Sequence, residues 1–343
     1  MMYSFEQLMI PIWDTEIIYD ESLTMVKKNG IAEATLLFEP EQILAVTRAD
    51  KTIEYKEGED WELHGSMIRL TTGSKIFAFE EEELIFDEEK PGECFETKDG
   101  RFSLFHEEHF FHDRQISVTY KKKCEKISYA PKFCGKLLPK TMGKLQKKEA
   151  VRIVLYGDSI SAGANSSGRT LTTPFLPTWG NLVKEQLKRN YETNVELINT
   201  AIGGKDSYWG MNEAKSRVGE YKPDLAIIAF GMNDRDEPQK FVANIRVIMN
   251  SILEVSSETE FIICATTVPN EILKNFWKYQ SEYGNVLKEL QGLGVAVADF
   301  GCMHKCLLEK KRFIDMTGNN VNHPNDFLIR CHAQVISAML IDG

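Results

Sequence analysis

The stretch at residues 151–163 reads Val-Arg-Ile-Val-Leu-Tyr-Gly-Asp-Ser-Ile-Ser-Ala-Gly, and it constrains the fold more than any other part of the chain. Its first six residues are mostly apolar and partly β-branched, which is typical of a strand buried on both faces. The run ends abruptly at Gly157-Asp158-Ser159, after which small residues can begin a helix. We therefore expect a first parallel strand that delivers a serine to the carboxyl edge of a sheet, where ligands bind in open α/β folds.

Strand and helix patterns alternate from residue 151 to the end of the chain. Nearly continuous apolar strands separated by helices indicate an α/β fold, in which a parallel sheet is covered on both faces. The predicted strands are 151–155, 195–199, 225–230, 261–265 and 295–299. The predicted helices are 178–189, 213–220, 239–255, 272–290 and about 326–340.

Residues from about 15 to 130 show short β patterns punctuated by turn residues instead. The predicted strands include 31–38, 42–48, 67–71, 75–79 and 115–120. Many short strands at this spacing favour an all-β sandwich of the jelly-roll kind. Prolines at 131 and 139 and a basic, polar stretch at 140–148 indicate a linker. A chain of 343 residues is also long for one core, so we predict a β-sandwich accessory domain at 1–147 and a catalytic domain at 148–343.

Composition excludes several classes of protein. A net charge of −10 without an evident basic face argues against nucleic acid as a partner. No apolar run approaches the roughly 20 residues that span a bilayer, and the first residues lack the pattern of a secretory signal. Seven scattered cysteines fit reduced thiols better than disulfides. If the sequence is full length, we expect a cytoplasmic protein without a membrane partner, and its oligomeric state stays open.

Ser159 can act as a nucleophile only if a base accepts its proton. The best candidate base is His323, which lies in the polar stretch at 319–326 just before the last predicted helix. Pro324 stiffens the segment that follows the imidazole, and a residue at 325 or 326 can cap the helix. Taken alone, this histidine could equally be a loop residue without function, but its pairing with Ser159 favours a catalytic role.

Two further loops could supply hydrogen-bond donors for the oxyanion that forms during acyl transfer. The loop at 199–207 follows the second predicted strand, and its Gly203-Gly204 pair lets a backbone N–H approach a substrate closely. The loop at 230–234 follows the third strand, and Asn233 offers a side-chain amide. Each loop alone fits ordinary turn chemistry, but polar, glycine-containing loops after three strands indicate one shared site.

In this order, Ser159, Gly204, Asn233 and His323 resemble the four signature residues of the SGNH (GDSL) hydrolase superfamily. The resemblance covers about residues 150–343 and implies a flavodoxin-like, three-layer sandwich with five parallel strands. It implies that Ser159 is the nucleophile and that His323 is the general base and acid. It also implies an oxyanion hole formed by the N–H groups of Ser159 and Gly204 with the Asn233 amide, and no metal or organic cofactor.

One position departs from the family pattern, because Asn320 stands where the family usually has an aspartate three residues before the histidine. A carboxylate there would hold the imidazole tautomer and stabilise the imidazolium. The Asn320 oxygen could still accept the Nδ1–H bond, so we retain Asn320 as the candidate third catalytic residue. A backbone carbonyl could do the same in a Ser-His dyad, as in some carbohydrate esterases of the superfamily. Asp315 is a weaker alternative outside the motif.

The resulting hypothesis is a serine esterase that hydrolyses a short-chain acyl ester through an acyl-serine intermediate. An attached β-sandwich resembles the architecture of two-domain carbohydrate esterases, so an acetylated carbohydrate is the preferred substrate by analogy. An O-acyltransferase that uses the same Ser-His pair and a non-catalytic carbohydrate-binding protein are the alternatives. Candidate substrate contacts are Asp158, Asp206, Trp179 and Trp209, although both tryptophans are equally compatible with a place in the core.

Two histidine-containing groups invite a metal hypothesis. The first is His106, His109 and His112, but helical or strand spacing would spread these side chains over different faces. The second is the group at 302–306, where two cysteines flank His304 without a second ligand pair. We expect no metal at either place.

Overall fold

The structure is a computed structural model that describes residues 3–123 and 126–342. Its N-terminal half is rich in β-structure, as predicted, with two short helices. The strands are β1 (Ile17–Thr24), β2 (Val26–Lys28), β3 (Ile31–Thr35), β4 (Pro40–Arg48), β5 (Glu54–Tyr55), β6 (Trp61–His64), β7 (Met67–Leu70), β8 (Phe79–Glu80), β9 (Ile85–Phe86), β10 (Cys94–Glu96), β11 (Phe102–Leu104) and β12 (Gln115–Lys122). The helices are α1 (Phe5–Met9) and α2 (Glu81–Leu84).

These strands form three sheets. The first is antiparallel with the order β1-β12-β4-β5, and the second has the order β6-β7-β3-β2-β8 with a parallel pair at β2 and β8. The third is the small antiparallel sheet β10-β11-β9. The predicted strand at 75–79 is wrong except for its last residue. The N–H of Lys75 donates to the Asp60 carboxylate at 3.1 Å, so a side chain satisfies the backbone where a strand partner would be needed.

The C-terminal half alternates strands and helices. The strands are β13 (Val151–Gly157), β14 (Val195–Asn199), β15 (Leu225–Ala229), β16 (Glu260–Ala265) and β17 (Val295–Asp299). The helices are α3 (Pro139–Gln146), α4 (Ser159–Ala162), α5 (Trp179–Tyr191), α6 (Ser207–Arg217), α7 (Pro238–Leu253), α8 (Gln280–Leu287), α9 (Phe300–Leu308) and α10 (Asp326–Leu340). The five predicted strands form one parallel sheet in the order β14-β13-β15-β16-β17, which confirms the flavodoxin-like fold class.

Helices cover both faces of this sheet because successive side chains of a strand point to opposite faces. Along β13, Val154 and Tyr156 pack with α6, α7 and α8, whereas Ile153 and Leu155 pack with α5, α9 and α10. All four of these side chains are almost completely buried. The buried β-branched run in the sequence is therefore the centre of a three-layer sandwich.

Several helix predictions need correction. Helix α6 begins at 207 instead of 213, because the Asp206 carboxylate caps it by accepting the Trp209 N–H at 2.8 Å. The predicted helix at 272–290 contracts to α8, since its first residues bond to the N-terminal half, as the Ile272 carbonyl does with Lys98 N–H at 2.8 Å. The stretch predicted as a linker forms α3, and α9 was not predicted. In both segments the local sequence pattern is polar or ambiguous, but the burial of apolar side chains stabilises a helix.

One hydrophobic cluster joins the two halves. It runs from α5 and α10 of the α/β half into β1, β4 and β12 of the N-terminal half. The same contact contains an ion pair between Glu21 and Lys311, whose side chains are fully buried and whose charged atoms lie 2.5 Å apart. The proposed division into residues 1–147 and 148–343 therefore describes two regions that share a core. No helix within residues 3–123 and 126–342 is long and apolar enough to cross a membrane.

Candidate active site

Ser159 lies at the carboxyl end of β13 and opens the one-turn helix α4. The Asp158 carboxylate caps this turn by accepting the Ile160 N–H at 3.0 Å. A side chain is excluded at Gly157, because a Cβ there would lie 2.3 Å from the Ala229 carbonyl oxygen of the neighbouring strand β15. The Gly-Asp-Ser sequence thus produces a sharp turn from strand to helix with the serine at its corner.

His323 lies in the loop before α10, and its Nε2 is 2.9 Å from Ser159 Oγ. The loop is ordered by Asn319, whose Oδ1 accepts the backbone N–H groups of residues 321, 322 and 323 at 3.0 Å each. The His323 carbonyl in turn accepts the Gly318 N–H at 2.8 Å. Backbone hydrogen bonds therefore fix the position of the imidazole relative to the serine.

The second imidazole nitrogen, Nδ1 of His323, faces two oxygen atoms. Asn165 Oδ1 lies 2.6 Å away and Glu107 Oε2 lies 3.2 Å away. The amide orientation of Asn165 follows from its other contact, because its Nδ2 donates to the Glu108 carbonyl at 2.8 Å. Since both partners of Nδ1 are acceptors, the neutral imidazole carries its hydrogen on Nδ1 and presents the Nε2 lone pair to Ser159.

Asn320, the expected partner of the imidazole, lies elsewhere. Its Nδ2 donates to Ser103 Oγ at 3.1 Å and to the Leu104 carbonyl at 3.0 Å, and its Oδ1 accepts from Asn270 at 3.2 Å. Asn320 has a φ of +62°. Its side chain binds the hairpin of β10 and β11, here called the N-terminal hairpin, instead of His323. The expectation that Asn320 orients the histidine is therefore corrected, and Asn165 and Glu107 occupy that position.

The predicted oxyanion donors lie on the segments that follow strands β13, β14 and β15. A Cβ on Gly203 would be 3.7 Å from Ser159 Cβ, so the peptide that joins Gly203 to Gly204 passes close to the serine. Asn233 Nδ2 donates one hydrogen to the Lys205 carbonyl at 3.0 Å, which braces this loop and leaves the second amide hydrogen. Asn233 follows Gly231, whose φ of +128° is open only to glycine. The three donors lie on loops that follow neighbouring strands.

Asp234 has a structural role that the sequence did not reveal. Its buried carboxylate accepts the Ser207 N–H at 3.0 Å and bonds the Ser207 hydroxyl, to which the Asn244 amide also donates. Burial raises the pKa of Asp234 to about 6, although the bonds from Ser207 oppose that rise. The carboxylate therefore fixes the start of α6 against the loop that carries Asn233.

Two of the four predicted substrate contacts are corrected because they are inaccessible. The Trp179 side chain is fully buried, packs edge-on to Phe300 and donates to the Ile160 carbonyl at 3.2 Å. Asp158 is 1% exposed, and burial raises its pKa to about 7. Asp206 serves as the N-cap of α6, as described above.

Trp209 remains a candidate substrate contact because its ring is half-buried. The cations of Lys205 and Arg217 lie over the ring at 5.4 and 5.0 Å from its centroid. The neighbouring Tyr208 is 61% exposed, so the most accessible aromatic ring of this segment is one residue before the predicted one. A role of either ring in substrate binding stays a prediction.

The three N-terminal histidines have separate partners. His106 stacks on Phe110 at 4.0 Å, His109 pairs with Asp113 at 2.6 Å, and His112 donates to the Thr173 carbonyl at 2.8 Å. Within the part of the chain that the structure describes, no group of three His, Cys, Asp or Glu side chains is arranged to hold a metal ion. The six cysteines among the described residues are free thiols, and Cys124 lies outside those residues.

Comparisons with known proteins identify a family and a shared fold. Residues 155–327, about half of the chain, match the family described as GDSL-like Lipase/Acylhydrolase. A search of curated proteins finds no match.

Two solved structures share the fold. One is a two-domain esterase (CEX) active on acetylated mannans, co-crystallised with mannopentaose, with 22% identity and a TM-score of 0.52 over 63% of this chain and 56% of that one. The other is a further structure of a two-domain esterase (CEX) active on acetylated mannans, with 21% identity and a TM-score of 0.50 over 61% of this chain and 53% of that one. The chain thus spans little more than half the length of these structures.

Proposed function

The chain belongs to the GDSL-like lipase/acylhydrolase family, and we propose that it hydrolyses short-chain acyl esters, with an acetylated carbohydrate as its substrate. The single observation that carries this proposal is the 2.9 Å contact between His323 Nε2 and Ser159 Oγ, on an imidazole whose Nδ1 faces two acceptors. This arrangement supports a serine nucleophile with its general base already oriented.

In the first half-reaction, Ser159 Oγ attacks the ester carbonyl while His323 Nε2 takes the hydroxyl proton. The negative charge moves to the carbonyl oxygen, where the N–H groups of Ser159 and Gly204 and the Asn233 amide act as donors. The tetrahedral intermediate then expels the alcohol, which leaves with the proton from His323. In the second half-reaction, water gives a proton to His323 and attacks the acyl-serine, and the acid is released as Ser159 recovers its proton.

Several contacts support the oxyanion role of the donors. Ser159 is the first residue of helix α4, so its backbone N–H has no acceptor within the helix. The Asn233 amide donates one of its two hydrogens to the Lys205 carbonyl. Removal of one such donor costs about 10²- to 10³-fold in kcat in other serine hydrolases, so we expect a similar loss for Asn233→Ala.

A carbohydrate as the alcohol is supported by architecture and by surface aromatic rings. The fold is shared with two-domain esterases that act on acetylated mannans, and an exposed Tyr208 and a half-buried Trp209 follow the Gly204 loop. Aromatic faces of this kind could stack on a sugar ring.

The test is a panel of esters assayed with the purified chain: p-nitrophenyl acetate, butyrate and octanoate, and acetylated manno- and xylo-oligosaccharides. We expect p-nitrophenol release to be fastest from the acetate ester, and we expect hydrolysis of every ester to vanish in Ser159→Ala. Ser216→Ala, which alters an exposed serine of α6, should keep wild-type activity. A fluorophosphonate probe should label the wild type and not Ser159→Ala. Transfer of acetate to an added sugar in preference to water would indicate an acyltransferase, and absence of both labelling and turnover would contradict the proposal.

A further inference from the structure

Residues 103–112 of the N-terminal half run along the edge of the active site and are fixed there by hydrogen bonds to the α/β half. The Leu104 carbonyl accepts from Asn320 at 3.0 Å, and Glu107 Oε1 accepts from Asn319 at 3.3 Å. Further along, the Glu108 carbonyl accepts from Asn165 at 2.8 Å, and His112 donates to the Thr173 carbonyl at 2.8 Å. This segment is therefore docked at several points and not only at the carboxylate.

The Glu107 carboxylate is turned towards His323 by this docking. Glu107 Oε2 is 3.2 Å from His323 Nδ1, and its other oxygen is held by Asn319, which also orders the backbone of the histidine loop. Partial burial disfavours the charged form of Glu107. The hydrogen bond with His323 and the positive charge of that ring together have the larger, opposite effect, so the pKa of Glu107 is lowered. The carboxylate is thus ionised at neutral pH beside the ring that must accept a proton.

We propose that the N-terminal half completes the active site: Glu107 is the carboxylate that positions His323 and stabilises its protonated form, in place of the aspartate that is missing at position 320. During acyl transfer the proton moves from Ser159 Oγ to His323 Nε2, the Nδ1–H bond is kept, and Glu107 stays ionised. Asn165 lies closer to Nδ1 but is neutral, so it can fix the tautomer without supplying charge. This inference rests on the proposed function and assigns the N-terminal half a part in catalysis.

The Glu107 side chain is 45% exposed, so solvent and salt weaken its charge at the imidazole. We therefore expect Glu107→Gln to lower kcat/KM for p-nitrophenyl acetate by about tenfold to a hundredfold, less than the loss of a fully buried triad aspartate. A carboxylate favours the imidazolium, so without it the imidazole stays neutral to lower pH. The acid limb of the pH profile of kcat/KM should accordingly move to lower pH in Glu107→Gln.

The experiment compares four proteins: wild type, Glu107→Gln, Ser159→Ala and Glu93→Gln. Glu93 is an exposed glutamate of the same region, so its variant controls for the loss of one negative charge. Each protein is assayed from pH 5 to 9 at low and high salt, and its thermal unfolding is measured. The acid limb of the wild type, but not of Glu107→Gln, should respond to salt, while Glu93→Gln should match the wild type throughout.

The outcomes separate this inference from the proposed function. If Ser159→Ala is inactive and Glu107→Gln shows the loss and the shifted acid limb with an unchanged unfolding temperature, both are supported. If Ser159→Ala is inactive but Glu107→Gln keeps the wild-type acid limb, the inference is overturned, whether activity is retained or falls together with stability. If Ser159→Ala retains activity, the proposed function itself fails.

Discussion

The carboxylate of Glu107 and Nδ1 of His323 lie 3.2 Å apart, although 216 residues separate them in the chain. Asn320 occupies the position where the family usually has an aspartate. Its side chain points into the N-terminal hairpin and not towards the imidazole. One consequence is that orientation and charge at the histidine come from two different residues, Asn165 and Glu107. The predictions below separate these contributions from purely structural ones.

Asn165→Gly should lower kcat for p-nitrophenyl acetate by about tenfold to a hundredfold, because the nearest acceptor of the Nδ1–H is lost. Asn165 has a φ of +60°, which glycine adopts without strain, so the change removes the side chain and its hydrogen bond to the Glu108 carbonyl without straining the backbone. Because Asn165 is neutral, the acid limb of the pH–rate profile should stay in place. Steady-state kinetics from pH 5 to 9 measures both quantities, and a shift of the acid limb equal to that of Glu107→Gln would contradict the separation of roles.

Asn320→Ala should cost much less activity than His323→Ala, and its main effect should be on stability. Its amide bonds to Ser103 and Leu104 are buried, so their loss leaves partners unsatisfied at a cost of about 1–3 kcal/mol in the free energy of unfolding. Since Asn320 has a positive φ, Asn320→Gly serves as a control that removes backbone strain. Urea unfolding and ester hydrolysis are compared for the three variants, and equal losses of kcat in Asn320→Gly and His323→Ala would restore the original expectation.

Lys311→Met should destabilise the chain by about 3–5 kcal/mol, because it leaves the fully buried carboxylate of Glu21 without its cation. The Leu37 N–H and the Tyr120 hydroxyl also donate to Glu21. The double variant Glu21→Gln/Lys311→Met removes both charges and should regain part of that free energy. Urea denaturation measures the free energy of unfolding of each variant. A double variant less stable than Lys311→Met would show that the unpaired buried charge is not the cause of the destabilisation.

His332 should make the fold sensitive to acid. Burial lowers the pKa of His332 to about 3, and neither ring nitrogen has a partner among the described residues. The unfolded chain binds this proton near pH 6.5, so His332 weakens stability progressively as pH falls from about 6.5 to 3. His332→Phe keeps the stacking on Phe300 and removes the proton site. The free energy of unfolding of the variant should therefore rise relative to that of the wild type by about 1 kcal/mol for each unit by which the pH falls in that range.

The comparison between variant and wild type is needed because two carboxyl groups act in the opposite direction. Burial raises the pKa of Asp158 to about 7 and that of Asp234 to about 6, so protonating them stabilises the fold as pH falls towards their ordinary values. Urea unfolding at pH 7.5, 5.5 and 4.5 measures the difference for His332→Phe. His64→Gln on the surface is the control, and a difference that does not grow at low pH would contradict the assignment.

The sequence by itself determined the parallel sheet and the order of its loops. Buried strands such as β13 are encoded by consecutive apolar residues, and the turn at Gly157-Asp158-Ser159 depends on steric and capping contacts within a few residues. Such local patterns are readable in the chain because the interacting groups are neighbours. The start of α6 was mispredicted although its cap, Asp206, is equally local. The start of α8 could not be read locally, because residues 272–274 bond to residues 96–98 of the N-terminal half.

Only the tertiary structure decided which side chains meet the histidine and which candidates are buried. Spacing from the motif selected Asn320, but a positive φ and acceptors on β11 turn its side chain away from the ring. Asn165 could have been noticed as a polar residue soon after the serine motif, whereas nothing near Glu107 in the sequence indicates its contact with His323. That contact forms because two halves of the chain pack into one core, and packing over hundreds of residues leaves no local periodicity to read.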